Sequence, residues 1–197
     1  MRLGFLASHT GTNMQAVLDA CREGRLRATA CVMISNNREA EALERARRAG
    51  LAVHHLSAAT HPDADRLDKA IRDALVAAGA EMVILAGYMK KLGPRTLARY
   101  RGRVLNIHPA LLPRFGGQGM YGARVHEAVL AAGERETGVS IHVVDEEYDH
   151  GPILAQCRVP VLGGDTAASL ATRVLAREHT FLVETLARVV SGDLRLP

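Results

Sequence analysis

The sequence predicts an α/β fold: a doubly wound, mostly parallel sheet flanked by helices in a single domain, with an antiparallel strand contribution in the C-terminal part. Short apolar runs alternate with helix-spaced segments through the first half of the chain. Residues 82–86 form a nearly continuous apolar run, which is typical of a strand covered on both faces. Strand alternating with helix implies parallel pairing and right-handed crossovers. The 197-residue length fits one domain.

The first strand–helix unit has clear boundaries. Residues 3–7 are apolar, and the helix that follows repeats its apolar positions at helical spacing, at Met14, Val17, Leu18 and Cys21. Thr12 and Gln15 have the spacing of a capping box, which predicts that this helix starts at Thr12. Gly24 is a natural stop.

The same unit recurs along the chain. Further strands are predicted at 28–34, 51–56 and 82–86, and further helices at 39–49, closed by Gly50, and 62–78. The part beyond Tyr100 contains another strand, a long loop rich in Pro and Gly, a helix, two strands and a terminal helix. These segments are residues 103–107, 108–122, 123–132, 139–144, 153–161 and 166–190. A loop of that length inside one domain is usually functional.

Composition and charge exclude several classes of protein. The net charge is +4, but arginines alternate with glutamates between residues 38 and 48, as on a solvated helix, and only 4% of residues are aromatic. Both features argue against a nucleic-acid partner. No run reaches the roughly 18 apolar residues of a membrane helix. We therefore expect a cytoplasmic protein without membrane partners, acting as a monomer or homodimer.

Neither cysteines nor histidines have the spacing of a metal site. Cys21, Cys31 and Cys157 are widely separated and form no Cys-x-x-Cys pair, so buried structural cysteine is the better interpretation. No histidines follow a His-Glu-x-x-His pattern. His142 lies within a predicted strand, where packing is the ordinary role, although it could flank a site.

Three segments carry candidate chemistry. Gly11, Thr12 and Asn13 stand between a strand and a helix N-terminus, where amides attract phosphate; a plain turn explains them equally well. Asn106 and His108 share one side of a strand end, at the sheet edge where ligands bind. An amide donor with an imidazole suits attack on a carbonyl, although a capping asparagine beside an incidental histidine remains an alternative.

Acidic residues form the last candidate segment. Asp145, Glu146, Glu147, Tyr148 and Asp149 lie in a loop between two strands, and charge runs of this kind are usually solvated turns. Glu178 lies on the terminal helix, where a surface salt bridge is the ordinary expectation.

Together these segments resemble the glycinamide ribonucleotide formyltransferases, a folate-dependent family, from the first strand to about Ala187. The resemblance rests on motifs in matching order: Ser8-x-x-Gly11-x-Asn13, Ser35-Asn36, residues 85–89, Asn-Ile-His-Pro-Ala-Leu-Leu-Pro at 106–113, residues 145–152 and residues 177–179. Asn-x-His-Pro-x-Leu-Leu-Pro followed by Asp-x-Gly-Pro is quite specific for folate-dependent formyl transfer.

The resemblance implies a role for each matching position. Asn106, His108 and Asp149 would be the catalytic trio. The ribotide would be bound by Gly11, Thr12, Asn13 and Glu178. The pocket for 10-formyltetrahydrofolate, the co-substrate, would be lined by Met89, Lys90, Lys91, Leu92, Asn106, Asp145, Glu146, Glu147, Tyr148 and Asp149. It also implies one domain over 1–197, with a phosphate-binding half at about 1–100 and a folate and catalytic half at about 101–190.

The implied reaction is attack of the glycinamide amine on the formyl carbon, as in de novo purine biosynthesis, without a metal. Asn106 and protonated His108 would stabilise the oxyanion, and His108, helped by a water held near Asp149, would carry a proton from the amine to folate N10. Asp149 would raise the pKa of His108 above its usual value. Three departures stand out: Ala110 replaces a common serine, residues 115–122 are longer and more glycine-rich, and Arg66 is only the nearest candidate for a folate-contacting arginine.

Other functions fit parts of the pattern. Formylation of methionyl-tRNA would need a C-terminal RNA-binding domain, and hydrolysis of formyltetrahydrofolate usually comes with an N-terminal regulatory domain; we expect neither here. A folate or nucleotide sensor that lacks catalysis is the alternative from a different class, which the complete trio disfavours.

Overall fold

A computed structural model describes all residues from 1 to 197. The strands are Arg2–Leu6 (β1), Thr29–Ser35 (β2), Ala52–His55 (β3), Met82–Leu85 (β4), Val104–His108 (β5), Glu136–Val143 (β6) and Ile153–Pro160 (β7). The helices are Thr12–Arg22 (α1), Glu41–Arg48 (α2), Ala64–Ala77 (α3), Pro94–Arg99 (α4), Ala123–Ala131 (α5) and Ala167–Ser191 (α6).

All seven strands form one sheet in the order β3-β2-β1-β4-β5-β6-β7. β1 to β5 pair in parallel, whereas β6 is antiparallel to both β5 and β7. The predicted fold class, including its antiparallel C-terminal strands, is confirmed. From β1 the chain builds the sheet outward through β2 and β3, and from β4 it builds outward in the other direction. This switch point between β1 and β4 places a ligand crevice beyond the carboxyl ends of the two strands.

Helices cover both faces of the sheet. A cluster of 29 buried apolar residues lies under α1, α2, α5 and α6, and a second cluster of 12 lies under α3 and the segment around Tyr100. β4 is buried along its whole length, which explains its unbroken apolar sequence. The same sheet runs through residues 1–100 and 101–190 alike, and the division of binding roles between these halves stays a prediction.

The start of α1 at Thr12 is confirmed, but the predicted capping box does not form. Gly11, at φ 68°, is the N-cap of α1, so Thr12 is already helical and no side chain caps the helix. Gln15 donates to Asp19 Oδ1 (3.1 Å) instead of reaching back to a cap. Helix α4 is not among the predicted helices, although Pro94 at its first helical position is a typical start signal.

The first turn of α4 is capped from another helix. Asp68 of α3, which is buried, accepts hydrogen bonds from the backbone N–H groups of Arg95 (2.7 Å) and Thr96 (3.1 Å) and from the Thr96 hydroxyl. A long-range cap of this kind leaves no trace in the local pattern, because its partners are separated by 27 and 28 residues.

Candidate active site

A cavity of about 900 Å³ opens at the carboxyl ends of β1, β4 and β5. Its lining comes from both halves of the chain, including residues 9–13, 85–92, 106–109 and 117–123, the loop that follows β6, and one face of α6. The position agrees with the reversal of strand order in the sheet. Every predicted site residue except Glu146 lines this cavity.

Unpaired amides mark the α1 side of the cavity. The first hydrogen bond of α1 runs from Gln15 N to Gly11 O (3.0 Å), so the N–H groups of Thr12, Asn13 and Met14 precede it and have no partner within the helix. No acidic residue lies in this first turn. The helix end is therefore free to bind an anion.

The turn before α1 is held rigidly by α2. Ala42 N–H donates to His9 O (3.1 Å), and Arg45 Nε donates to Thr10 O (2.9 Å). Gly11 is in the left-handed region, and a Cβ added there would lie 2.6 Å from Ala42 Cβ. Glycine is required at this position by the backbone and by α2, so its replacement would disturb the fold as well as any ligand.

A buried amide–carboxyl pair lies on the same side. Asn13 Nδ2 donates to Glu178 Oε2 at 2.6 Å, across a sequence separation of 165 residues. Burial raises the pKa of Glu178 from its usual 4.5 to about 7, although the Asn13 hydrogen bond partly opposes the shift. Asn13 Oδ1 is buried without a partner, so the pair retains an unused acceptor. Glu178 is thus not the surface residue that its helical position suggested.

Glu178→Gln should stabilise the protein at high pH. Below pH 4.5 the Glu178 side chain is protonated in both the folded and the unfolded protein, so it does not make the free energy of unfolding depend on pH. Between pH 4.5 and 7 the unfolded chain loses its proton first, so the free energy of unfolding falls with rising pH. Above pH 7 the wild type bears the full cost of the buried charge, about 3 kcal/mol.

Thermal unfolding of the wild type and Glu178→Gln at pH 4 and pH 8 measures this effect. The melting temperatures should agree at pH 4, and the variant should melt at a higher temperature at pH 8. Glu184→Gln on the same helix is the control, because Glu184 is exposed and pairs with Arg177 (2.9 Å), so its loss should not raise the melting temperature. Equal wild-type and Glu178→Gln curves at pH 8 would contradict the buried-charge assignment.

The predicted trio meets on the floor of the cavity. Asn106 Nδ2 donates to Asp149 Oδ1 at 3.3 Å, and His108 Nδ1 lies 3.5 Å from Asp149 Oδ2. His108 Nε2 lies 2.8 Å from Phe115 O, which only accepts, so Nε2 carries a proton in the neutral ring. Neutral His108 consequently presents an unprotonated Nδ1 toward Asp149.

The direction expected for the His108 pKa is wrong. The His108 side chain is buried, and burial lowers its pKa below the usual 6.5 even though Asp149 and the Phe115 carbonyl raise it. Although burial alone would raise the pKa of Asp149, His108 and the Gly117 N–H favour its carboxylate, and the pKa lies below its usual value. At neutral pH the site therefore holds a neutral imidazole beside a carboxylate, and His108 is prepared to accept a proton.

Backbone conformation on both sides of His108 fixes this arrangement. Phe115 (φ 57°) and Asp149 (φ 54°) are the two non-glycine residues with positive φ, and both contact the imidazole. Gly117 N–H donates to Asp149 Oδ2 at 2.9 Å, so the glycine-rich loop is tied directly to the carboxylate. Such strained positions cluster at functional sites. The loop that departed from the family pattern lines the cavity along residues 117–122.

His142 belongs to the same cluster. Its Nε2 lies 3.0 Å from Asn106 Nδ2 and 3.5 Å from Asp149 Oδ1. The register explains the contact, because Asn106 on β5 is directly opposite His142 on the antiparallel β6. The sequence favoured a packing role for His142 and allowed that it could flank the site; the β5–β6 register places it beside Asn106 in the cavity lining.

The opposite side of the cavity is formed by residues 89–92 and the loop after β6. Ser8 Oγ accepts from Met89 N–H (2.8 Å) and donates to Asn36 Oδ1 (2.5 Å), which fixes the start of this segment. The backbone N–H and C=O groups of residues 90–92 form no hydrogen bond within the chain. They are available to a ligand with donors and acceptors along one edge.

The acidic loop lines the cavity with all of its residues 145–149 except Glu146. Asp145 accepts from Glu147 N–H (2.9 Å) and pairs with the exposed His150 (2.8 Å). Tyr148 lies under the Lys91 ammonium, 5.2 Å from its ring centroid, and so joins the two walls of the cavity. Glu146 is exposed outside the lining.

Three further observations concern Arg66, possible metal ligands and possible membrane helices. Arg66 is exposed and does not line the cavity, so it has no place in a folate pocket of this shape. No three or more His, Cys, Asp and Glu side chains are grouped to hold a metal ion. No helix combines the length and apolar character needed to cross a membrane.

Comparison with known proteins agrees with this geometry. Residues 1–186 match the formyl transferase family. The phosphoribosylglycinamide formyltransferase of Escherichia coli K12 is 35% identical over 196 residues, covering 100% of this chain and 90% of that protein. The crystal structure of glycinamide ribonucleotide transformylase 1 from Symbiobacterium toebii superposes with a TM-score of 0.93 at 41% identity, covering 100% of this chain and 91% of the other.

A more distant neighbour shares the fold alone. The crystal structure of a formyltetrahydrofolate deformylase from Pseudomonas syringae superposes with a TM-score of 0.87 at 23% identity, and the match covers 63% of that chain. The resemblance recognised from the motifs is confirmed by the family match and by the two closer relatives. The chain belongs to the formyl transferase family.

Proposed function

We propose that this chain transfers a formyl group from 10-formyltetrahydrofolate to the amine of glycinamide ribonucleotide in de novo purine biosynthesis. The observation that carries the proposal is the meeting of Asn106, His108 and Asp149 between two unlike binding surfaces. Unpaired helix amides lie on one side, and the unpaired backbone groups of residues 90–92 lie on the other. The names of the two closer relatives agree with this reaction.

The α1 side suits the ribotide. The amides at residues 12–14 would hold the phosphate, since a helix N-terminus favours negative charge. The Glu178 carboxyl group, which lines the cavity and is held by Asn13 Nδ2, would accept a hydrogen bond from a ribose hydroxyl.

The other side suits the reduced folate. The free backbone of residues 90–92 would pair with the edge of the pterin ring, and Met89, Lys91, Asp145, Glu147 and Tyr148 would surround it. A volume of about 900 Å³ accommodates both substrates at once. The co-substrate supplies the formyl group; the protein supplies orientation and proton transfer.

The trio provides the chemistry of transfer. Asn106 would donate a hydrogen bond to the formyl oxygen as negative charge develops there. His108 Nδ1 would accept the proton that the attacking amine loses, and Asp149 at 3.5 Å would stabilise the resulting imidazolium. The same proton then passes to folate N10 as its bond to the formyl carbon breaks. His108 thus starts unprotonated and acts first as a base, whereas a protonated His108 was expected from the sequence; its role as proton shuttle is retained.

A turnover assay tests this function directly. The protein is mixed with 10-formyltetrahydrofolate and glycinamide ribonucleotide, and the appearance of deformylated folate is followed. We expect consumption that depends on the ribotide. Equal consumption with water as the only acceptor would favour the hydrolase, and no consumption would favour the sensor.

Thr12→Asp should separate stability from phosphate binding. An acid in the first turn of α1 interacts favourably with the helix dipole, by about 0.3–1 kcal/mol, so the melting temperature should rise slightly. The same carboxylate would repel the phosphate, and each like-charge pair at ~4 Å costs about 1 kcal/mol even in bulk water. The KM for the ribotide should therefore rise about tenfold or more.

Thr12→Asn is the matched control, because it keeps the size without the charge and should leave both KM values close to those of the wild type. The KM for the folate should not change in either variant. An unchanged ribotide KM in Thr12→Asp would show that the phosphate is bound elsewhere.

The expectations about assembly and location remain part of this proposal. Interleaved arginines and glutamates on α2, with ion pairs such as Arg48–Glu44 (3.1 Å), support a solvated surface in place of a nucleic-acid interface. We expect a cytoplasmic monomer or homodimer that acts on small molecules without membrane partners.

A further inference from the structure

The orientation of the Asn106 amide is set by two neighbours. Its Nδ2 lies 3.0 Å from His142 Nε2 and 3.3 Å from Asp149 Oδ1, and these two atoms are 3.5 Å apart. The three distances define a triangle in which the neighbours subtend about 70° at Nδ2, far less than the roughly 120° between the two N–H bonds of an amide. When one N–H is aligned on the nearer acceptor, His142 Nε2, the second N–H points about 50° away from Asp149 Oδ1 and remains available to a ligand.

The tautomer of His142 follows from its other nitrogen. His142 Nδ1 lies 3.1 Å from Val143 O, and a carbonyl oxygen only accepts, so Nδ1 carries the proton and Nε2 is an acceptor. The 3.5 Å between Nε2 and Asp149 Oδ1 is too long for an N–H···O bond, whereas the 3.0 Å to Asn106 Nδ2 is an ordinary hydrogen-bond distance.

The opposite amide orientation is disfavoured. A flipped Asn106 would place its oxygen against the lone pair of His142 Nε2 and against the carboxylate oxygen of Asp149, which are both acceptors. His142 is only 1% exposed, so solvent does not compete for this contact. The cluster thus holds the nitrogen of Asn106 inward.

We infer that His142 is a positioning residue, whose unprotonated Nε2 holds the Asn106 amide so that its second N–H remains available to the formyl oxygen. The inference rests on the proposed formyl transfer for its catalytic consequence, but the hydrogen-bond arrangement stands independently of that reaction. His142 itself would not touch the reacting atoms.

The kinetic test uses two replacements of His142. His142→Leu removes the acceptor, and His142→Gln keeps an amide oxygen that can accept from Asn106. We expect His142→Leu to lower kcat about tenfold, less than the 10²–10³ of losing the donor itself, with both KM values unchanged. His142→Gln should recover most of the loss. A rise in KM at normal kcat would overturn the proposal.

A double-mutant cycle identifies the partner through which His142 acts. In an Asn106→Ala background, His142→Leu should have almost no further effect on kcat, because residues that act as a unit are not additive. In an Asp145→Asn background, which leaves the contacts of the Asn106 amide in place, the effect of His142→Leu should persist. An additive loss with Asn106→Ala, or a loss that vanishes with Asp145→Asn, would overturn the assignment.

NMR of the wild type tests the arrangement without activity and without a variant that must fold. The ¹⁵N shifts of the His142 ring should show a protonated Nδ1 and an unprotonated Nε2 at neutral pH. The opposite tautomer would overturn the proposal even in an active enzyme. If the wild type failed to transfer formyl groups but showed the expected tautomer, the proposed function would fail and the positioning of Asn106 would stand.

Discussion

Replacing Asn106 by Ala should lower kcat about 10²–10³-fold while leaving both KM values close to those of the wild type. The free N–H of Asn106 contributes only when negative charge develops on the formyl oxygen, so its loss raises the barrier without weakening the ground-state complex. Steady-state kinetics with each substrate varied in turn measure both parameters. In the wild type, the contacts of Nδ2 with His142 and Asp149 hold the amide in position for this role.

The variant also removes a part of the cluster, so its stability must be measured. Asn106 is only partly buried, and His142 retains its bond to Val143 O, so we expect a small change in melting temperature. A variant with normal kcat and weaker folate binding would show that Asn106 binds the substrate before reaction and does not stabilise the transition state, contrary to the proposed role.

Local periodicity predicted most of the fold and the central pair of the site. The alternation of strand and helix gave the sheet, and the period of two along β5 placed Asn106 and His108 on one side. The shared side of Asn106 and His108 follows from the alternation of side chains that every strand has. The α1 amides were likewise visible in the strand–glycine–helix order around Gly11.

Features that depend on the surroundings were not predictable from local patterns. Thr12 and Gln15 have the spacing of a capping box, but Gly11 takes the cap position because its left-handed backbone fits against Ala42. The His108 pKa was expected to rise because Asp149 was the known neighbour, whereas burial, which only the packed fold determines, is the larger influence. The antiparallel register of β5 and β6 places His142 beside Asn106, and a single sequence does not specify that register.

Asp149 lies in the cavity lining, but the local sequence pattern did not place it there. It is 43 residues from Asn106 in the chain, and its acidic neighbours are typical of a solvated turn. Only the resemblance to a family assigned it to the site, and the positive φ that turns its carboxylate inward has no local sequence signature. Contacts to Asn106 and to Gly117 N–H show why a carboxylate fits there.

Asp149→Asn should lower kcat about 10²-fold or more, the usual contribution of a general acid–base pair, with little change in the KM for the ribotide. The carboxylate raises the pKa of His108 against the stronger effect of burial, so removing its charge should move the His108 titration to still lower pH. A ring that accepts a proton less readily is a weaker base. In addition, an amide whose oxygen accepts from Gly117 N–H would turn its NH₂ group toward Asn106 Nδ2, opposing one donor with another.

NMR titration of His108 in the wild type and in Asp149→Asn measures the charge effect separately from catalysis. Asp145→Asn is the matched control in the same loop, because Asp145 pairs with the exposed His150 (2.8 Å) and should leave the His108 titration unchanged. In the wild type, kcat should rise with pH through the lowered His108 pKa and level off by neutral pH, since the base must be unprotonated before it acts. Superimposable His108 titrations in the wild type and Asp149→Asn would remove the electrostatic role. The remaining function of Asp149 would then be to hold Gly117 and Asn106 in place, and kcat would fall without any change in the pH at which it levels off.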